Sequence, residues 1–207
     1  MSHTARFLVR QPAQGDCAAA GLVQKMLTRA GFLFGALATG GARPGPYCSP
    51  LATDVAGPPY DFELELLDGN GQTFRLAQQL GSAVWLNFFA SWCPSCDGEA
   101  DRLARLAAHY APHGLVTVGI DYKEPPAPVR AFRDRHKITF PIALDSMGSV
   151  FAGLGLSALP THLFFDRAGR ITCVAADDIS FKAMDNEISV ALGAPSIPIA
   201  APPLQSP

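Results

Sequence analysis

Residues 83–89 read AVWLNFF, an apolar run broken only by Asn87. A run this short and this apolar suits a strand buried on both faces. Such a strand belongs in the middle of a sheet that is covered on either side. The flanking segments are then expected to fit a layered α/β plan. FELELL (62–67) alternates as a half-buried strand does, DGNG (68–71) is a hairpin turn signal, and QTFRL (72–76) supplies the return strand. From Asp97 onward, Leu103, Leu106, Ala107 and Tyr110 recur on one helical face, with Asp101 and Arg105 spaced to pair on the other. LVTVGID (115–121) is a second buried strand, and Val129, Phe132 and His136 mark a second helix after a Pro-rich loop. FPIALD (140–145) is a short strand and SMGSVFAGL (146–154) a helical turn. THLFFD (161–166) and ITCVAA (171–176) form a hairpin across RAGR, and Phe181, Met184, Ile188 and Leu192 make a final amphipathic helix. The order predicts an α/β domain with a central mixed β-sheet flanked on both faces by helices.

The ends read differently. Residues 1–54 predict a leader and linker rather than packed domain. Within them KMLTRAGFLFGALATGGA has basic Lys25 and Arg29, an apolar core over 30–38, and Ala36 and Ala38 placed as an Ala-x-Ala cleavage site. This is the pattern of a signal or anchor near residues 25–42, with Met26 as an alternative start, and it predicts an exported protein. An amphipathic N-terminal arm and a cytoplasmic location are the competing expectation. The apolar core is too short for a comfortable membrane span. Residues 55–192 are the predicted domain, and 193–207 are a Pro-rich tail expected to be disordered.

Directly after the buried run comes SWCPSC, with Cys93 and Cys96 two residues apart and a helix pattern following. A net charge of −2 without a Lys/Arg cluster argues against a nucleic-acid partner. The remaining cysteines, Cys17, Cys48 and Cys173, are scattered, as are the five histidines, so the second ligand pair of a zinc site is lacking. No metal is expected. A Cys at a helix N-terminus gains thiolate character, because the first-turn N–H groups lack intrahelical partners and the helix dipole favours negative charge. The two-residue spacing lets Cys96 reach Cys93 from one turn into the helix, so a disulfide can open and close without refolding. Cys93 is the expected nucleophile and Cys96 the resolving thiol. Pro94 suits the first turn, and Trp92 offers a flat apolar face beside the nucleophile. The strand–loop–helix setting favours redox exchange over half a metal site or an inert structural disulfide. Cys173 is expected to be a buried or half-buried free thiol.

NFFASWCPSC with Glu99, VTVGIDYKE, and LSALPTHLFFDRAGRI together resemble the TlpA/ResA-like thiol–disulfide oxidoreductases of the thioredoxin superfamily, including the CcmG/DsbE type. The resemblance runs over residues 55–192. It implies a thioredoxin-like fold with an N-terminal β-hairpin and an inserted αβ element between GIDYKE and FPIALD. It implies that Pro160 is cis and that the backbone around Leu159 and Pro160 forms an open edge beside Cys93, where a substrate peptide pairs. Asn87, six residues before Cys93, and Glu99, six after it, are the family's buried Asn and its glutamate near the thiols. The alternative for Glu99 is an exposed first-turn acid. His162 is expected to pack or to lie at the surface. Pro94 and Ser95 between the thiols resemble the cytochrome c maturation group, and this dipeptide tunes redox poise.

The activity implied is reduction or exchange of protein disulfides without a cofactor. The implied partners are disulfide-containing protein substrates, apocytochrome c among them, and an upstream thiol reductant such as a transmembrane electron carrier. Two other functions remain open on the same fold. A thiol peroxidase needs Thr three residues before its Cys, where this chain has Ala90. A copper chaperone needs a wider Cys spacing and a distant His, for which His162 or His136 would have to serve.

Overall fold

The computed structural model describes residues 7–8, 48 and 61–198. The leader-like segment at 25–42 and most of the linker lie outside the described residues, as does the tail beyond 198. Among the described residues eight strands form one mixed sheet: β1 (Phe7–Leu8), β2 (Asp61–Leu66), β3 (Thr73–Arg75), β4 (Ala83–Phe89), β5 (Leu115–Tyr122), β6 (Ile142–Asp145), β7 (Thr161–Phe165) and β8 (Ile171–Ala176). Their order is β1-β2-β6-β5-β4-β7-β8, with β3 paired to β2. The apolar run is the central β4, every residue of it buried, parallel to β5 and antiparallel to β7. Among the described residues four α-helices complete the fold: α1 (Pro94–Tyr110), α2 (Pro126–Arg135), α3 (Ser149–Gly153) and α4 (Phe181–Leu192). The inserted element is α2 and β6. Phe7 and Leu8, inside the stretch expected to be leader, pair with Phe62 and Asp61 as an edge strand.

Strand alternation sorts the core into two faces. Val84, Leu86 and Phe88 of β4 and Leu163 and Phe165 of β7 pack on one face with Phe62, Phe74 and Phe151. Leu64 of β2 and Val150 of the short α3 join the same cluster. Ala83, Trp85 and Phe164 meet α1 and α4 through Leu103, Leu106, Tyr110, Met184 and Ile188 on the other. Phe89 meets α2 on this second side, stacking on Phe132 at 5.0 Å between ring centroids. Helices therefore flank both faces, but three of the four share one. Gly119 on β5 lies opposite Asn87, and a Cβ there would sit 3.0 Å from the Phe89 ring, so a larger residue would crowd the close approach of Phe89 to the sheet.

α1 starts at Cys93, whose Sγ accepts from the Cys96 N–H, with Pro94 in the first turn. Its buried face carries Cys96, Glu99, Ala100, Leu103, Leu106, Ala107 and Tyr110, the spacing read from the sequence. Asp101 and Arg105 do not meet as expected. The tertiary fold gives each a better neighbour: His136 at 2.8 Å for Asp101, and the Phe181 ring for the Arg105 guanidinium. α4 is capped by Ser180 at its start and by left-handed Gly193 at its end. Beyond that cap Ser196 meets the Ser189 hydroxyl and the Ile197 N–H donates to the Tyr110 hydroxyl, so the first residues after 192 dock on the helices.

One expectation is corrected outright. Cys173 is no free thiol; it is disulfide-bonded to Cys48, 125 positions earlier in the chain. Cys48 is half-buried against the core on the α4 side, so a residue of the expected linker is tied to β8. The spacing of two lone cysteines carries no sign of such a pairing, because it depends on where the chain returns in space.

Candidate active site

β4 carries the chain from the core to Phe89. A tight turn follows, closed by the Cys93 N–H donating to the Ala90 carbonyl at 3.1 Å. Cys93 thus lies where the central strand ends and α1 begins, as its Ncap, and the Cys96 N–H donates to its Sγ at 3.3 Å. A cap of this kind stabilises negative charge on the sulfur. Both thiols are free and buried. Trp92 beside them is 63% exposed, while Pro94 and Ser95 form the solvent side of the first turn.

The Leu159–Pro160 bond is cis, and it presents the Leu159 carbonyl to Cys93, whose thiol donates to it at 3.7 Å. The loop ahead of β7 therefore touches the first thiol across 66 residues of chain.

The two thiols are not equivalent. The Cys96 thiol is pushed far above the ordinary range, first by burial, then by its hydrogen bond to Cys93, with the charges of Cys93 and Glu99 adding to the rise and the Ala90 backbone opposing it. At rest the protein keeps Cys96 as a thiol beside the capped Cys93. Glu99 is the buried carboxylate implied by the resemblance, at 1% exposure, and not an exposed first-turn acid. It lines a pocket with Asn87, Cys96, Phe132 and Ile138 that has room for about one water molecule. Asn87 donates to it at 3.2 Å.

Two features were not legible from sequence. His162 is fully buried, and its Nε2 lies 3.2 Å from Glu99. The cue was its place two residues after Pro160 on a strand paired with β4, opposite Asn87. The second is a clasp on the active-site turn. The Glu124 carboxylate accepts from the Ser91 N–H at 2.5 Å and from its hydroxyl at 2.6 Å. Behind Glu124 lies Asp121, whose carboxyl is pushed up to about 8 by burial, by its hydrogen bond with Glu124, and by the charges of Glu124 and Asp145. His136 stays apart from the thiols, joining α2 to α1 through Asp97 and Asp101. Among the described residues, the one grouping of metal-type ligands is Cys48, Cys173 and Glu187, and its two sulfurs are bonded to each other.

A capped dithiol at the end of a central strand, facing a cis-proline loop, defines a thioredoxin-like protein. The sequence profile described as the AhpC/TSA family matches residues 56–174, and the chain belongs to that family. The thiol–disulfide oxidoreductase ResA of Halalkalibacterium halodurans is 32% identical over 114 residues, which cover 55% of this chain and 64% of that protein. The chain thus spans a little under two thirds of the length of that curated relative. Among solved structures, a thiol:disulfide interchange protein of the thioredoxin family from Chlorobium tepidum superposes with a TM-score of 0.58 at 26% identity, over 67% of this chain and 96% of that one. A secreted Mycobacterium tuberculosis disulfide oxidoreductase homologous to DsbE of E. coli superposes with a TM-score of 0.55 at 25% identity, over 62% of this chain and 94% of that one. The thioredoxin-superfamily, ResA/DsbE-like reading of the sequence holds.

Proposed function

We propose that this chain is a thiol–disulfide oxidoreductase that reduces disulfides of protein substrates through Cys93 and Cys96. The observation that carries the reading is the asymmetric thiol pair: Cys93 capping α1 and facing the Leu159 carbonyl, Cys96 one turn deeper with its proton held. Cys93 attacks a substrate disulfide, and the substrate strand lies along the Leu159–Pro160 edge with Trp92 at its side. Cys96 then attacks Cys93 and frees the reduced substrate. Glu99 is the buried carboxylate placed to take the Cys96 proton. A second thiol protein returns the pair to the reduced state.

The protein acts outside the cytoplasm. Three points support this: the leader pattern at 25–42, the secreted relative from Mycobacterium tuberculosis, and the Cys48–Cys173 disulfide, a kind of bond that persists in oxidising compartments. In that setting the reductant is a transmembrane electron carrier, and apocytochrome c is the substrate the ResA/DsbE resemblance implies.

The test is trapping. Cys96→Ala expressed in the native host should accumulate mixed disulfides at Cys93, identified by mass spectrometry, and the wild type should reduce insulin disulfides. Absence of both sinks the proposal. Fractionation decides the compartment, and apocytochrome c missing from the trapped species removes that substrate while leaving the activity intact.

A further inference from the structure

The buried polar groups beneath Cys96 leave little freedom in where their protons sit. His162 has no exposure to solvent, and its Nδ1 lies 3.3 Å from the Trp85 indole Nε1. An indole N–H can only donate, so Nδ1 must be the unprotonated, accepting nitrogen. Asn87 adds a second donor to the same atom at 3.3 Å and turns its other N–H to Glu99 Oε1 at 3.2 Å. The assignment of Nδ1 rests on Trp85 alone and survives any rotation of the Asn87 amide. With Nδ1 accepting, the imidazole proton sits on Nε2, which faces Glu99 Oε2 at 3.2 Å. A doubly protonated ring would set an N–H against the indole N–H inside the core. Both Glu99 oxygens thus face donors, Asn87 on one and His162 on the other, an arrangement made for the accepting form of the carboxylate.

We propose that His162 is a positioning residue for the resolving step, holding Glu99 as the proton acceptor for Cys96 through its Nε2–H. This rests on the dithiol-exchange reading and adds to it the residue that sets the base. In the step, the Cys96 S–H proton passes to Glu99. The Cys96 sulfur forms a bond to Cys93 Sγ as the bond between Cys93 and the substrate breaks, and the electron pair leaves on the substrate sulfur, which takes a proton from solvent. When an external dithiol reopens the Cys93–Cys96 bond, the departing Cys96 sulfur recovers the proton from Glu99. The coupling is local. The titratable groups that face Cys96 and Glu99 are Cys93 at the helix start and His162 on β7. From α2 and the loop after it, the pocket receives only Phe132, Ile138 and Phe140.

The test follows the resolving step alone, in the full-length reduced protein with Cys17→Ser to remove the remaining thiol. One equivalent of dithiobis(nitrobenzoate) forms the mixed disulfide at Cys93 and releases one coloured thiol. Attack by Cys96 then releases the second, read by stopped flow across pH. In His162→Leu the rise of this rate with pH should be displaced to the alkaline side, with the rate at neutral pH about tenfold lower or more. His162→Gln, which can present an amide N–H near the Nε2 position, should restore the profile, whereas His162→Asn should not. The His162→Leu effect should also vanish in a Glu99→Gln background, since the two residues act as one unit.

A His162→Leu profile that overlays the wild type overturns the proposal. So does a fall equal at every pH and undiminished in Glu99→Gln. If His162→Leu does not fold, Gln and Asn decide between them, and equal profiles for the two overturn it. A wild type that never releases the second thiol sinks the dithiol reading itself, whereas normal release with an unchanged His162 profile sinks only this inference.

Discussion

At the scale of single residues, the site divides its labour by depth. Cys93 sits at the helix start facing the Leu159 carbonyl, and Cys96 sits one turn deeper in a pocket shared with a buried carboxylate. Cys93→Ser should abolish insulin reduction, while Cys96→Ala should still attack a disulfide once and stop at the mixed species, as mass spectrometry of the intact protein will show. Trp92 tests the substrate side. It is exposed beside Cys93, so Trp92→Ala should raise KM for insulin by about three- to tenfold while leaving the rate with a small aromatic disulfide unchanged. The thiol pair proposed to do the chemistry was readable because sulfur spacing and Pro160 are local signals. His162 was not. A histidine on an apolar strand gives no sign of its partners until β7 is paired with β4 and the strand face is known.

Elements obey the same division between local and non-local information. β4 and the β7–β8 hairpin were legible because burial on both faces writes itself as an unbroken apolar run, and α1 and α4 because their buried residues recur at helical spacing. The pairing of β2 with β6 across the inserted element was not, since nothing in either segment names its neighbour.

The C-terminal end of β5 carries a further consequence. Asp121 is buried behind Glu124, which clasps Ser91 in the active-site turn, and its folded value of about 8 lies above the ordinary 3.8. A raised carboxyl stabilises the folded state fully below the unfolded value, and that stabilisation drains away as pH climbs from about 4 to about 8. Asp121→Asn keeps an oxygen for the Glu124 N–H and adds donors toward the Glu124 carboxylate. It should therefore flatten the pH dependence of stability over this window, gaining on the wild type by about 1–3 kcal/mol at pH 8 relative to pH 5 in urea denaturation. A parallel pair of curves would remove Asp121 as the source.

For the molecule as a whole, the sulfur bond between Cys48 and Cys173 restrains the unfolded chain, because the two cysteines are 125 positions apart. By the chain-entropy argument such a bond restricts the unfolded ensemble by about 3–5 kcal/mol. Replacing both cysteines with alanine should lower the urea midpoint accordingly, without altering the second-thiol release rate that reports on Cys93 and Cys96. The staple escaped the sequence because its two ends are visible only as unrelated single cysteines.

The same staple places this chain under two opposed thiol economies. To mature, it must meet an oxidant that joins Cys48 to Cys173. On the proposed dithiol exchange, turnover then requires a reductant that keeps Cys93 and Cys96 open. A host that supplies only one of these would yield either a clamped protein arrested as its own disulfide or an active dithiol on a loosened frame. Recombinant preparations should therefore be judged by which sulfurs are joined, and not by the total thiol count.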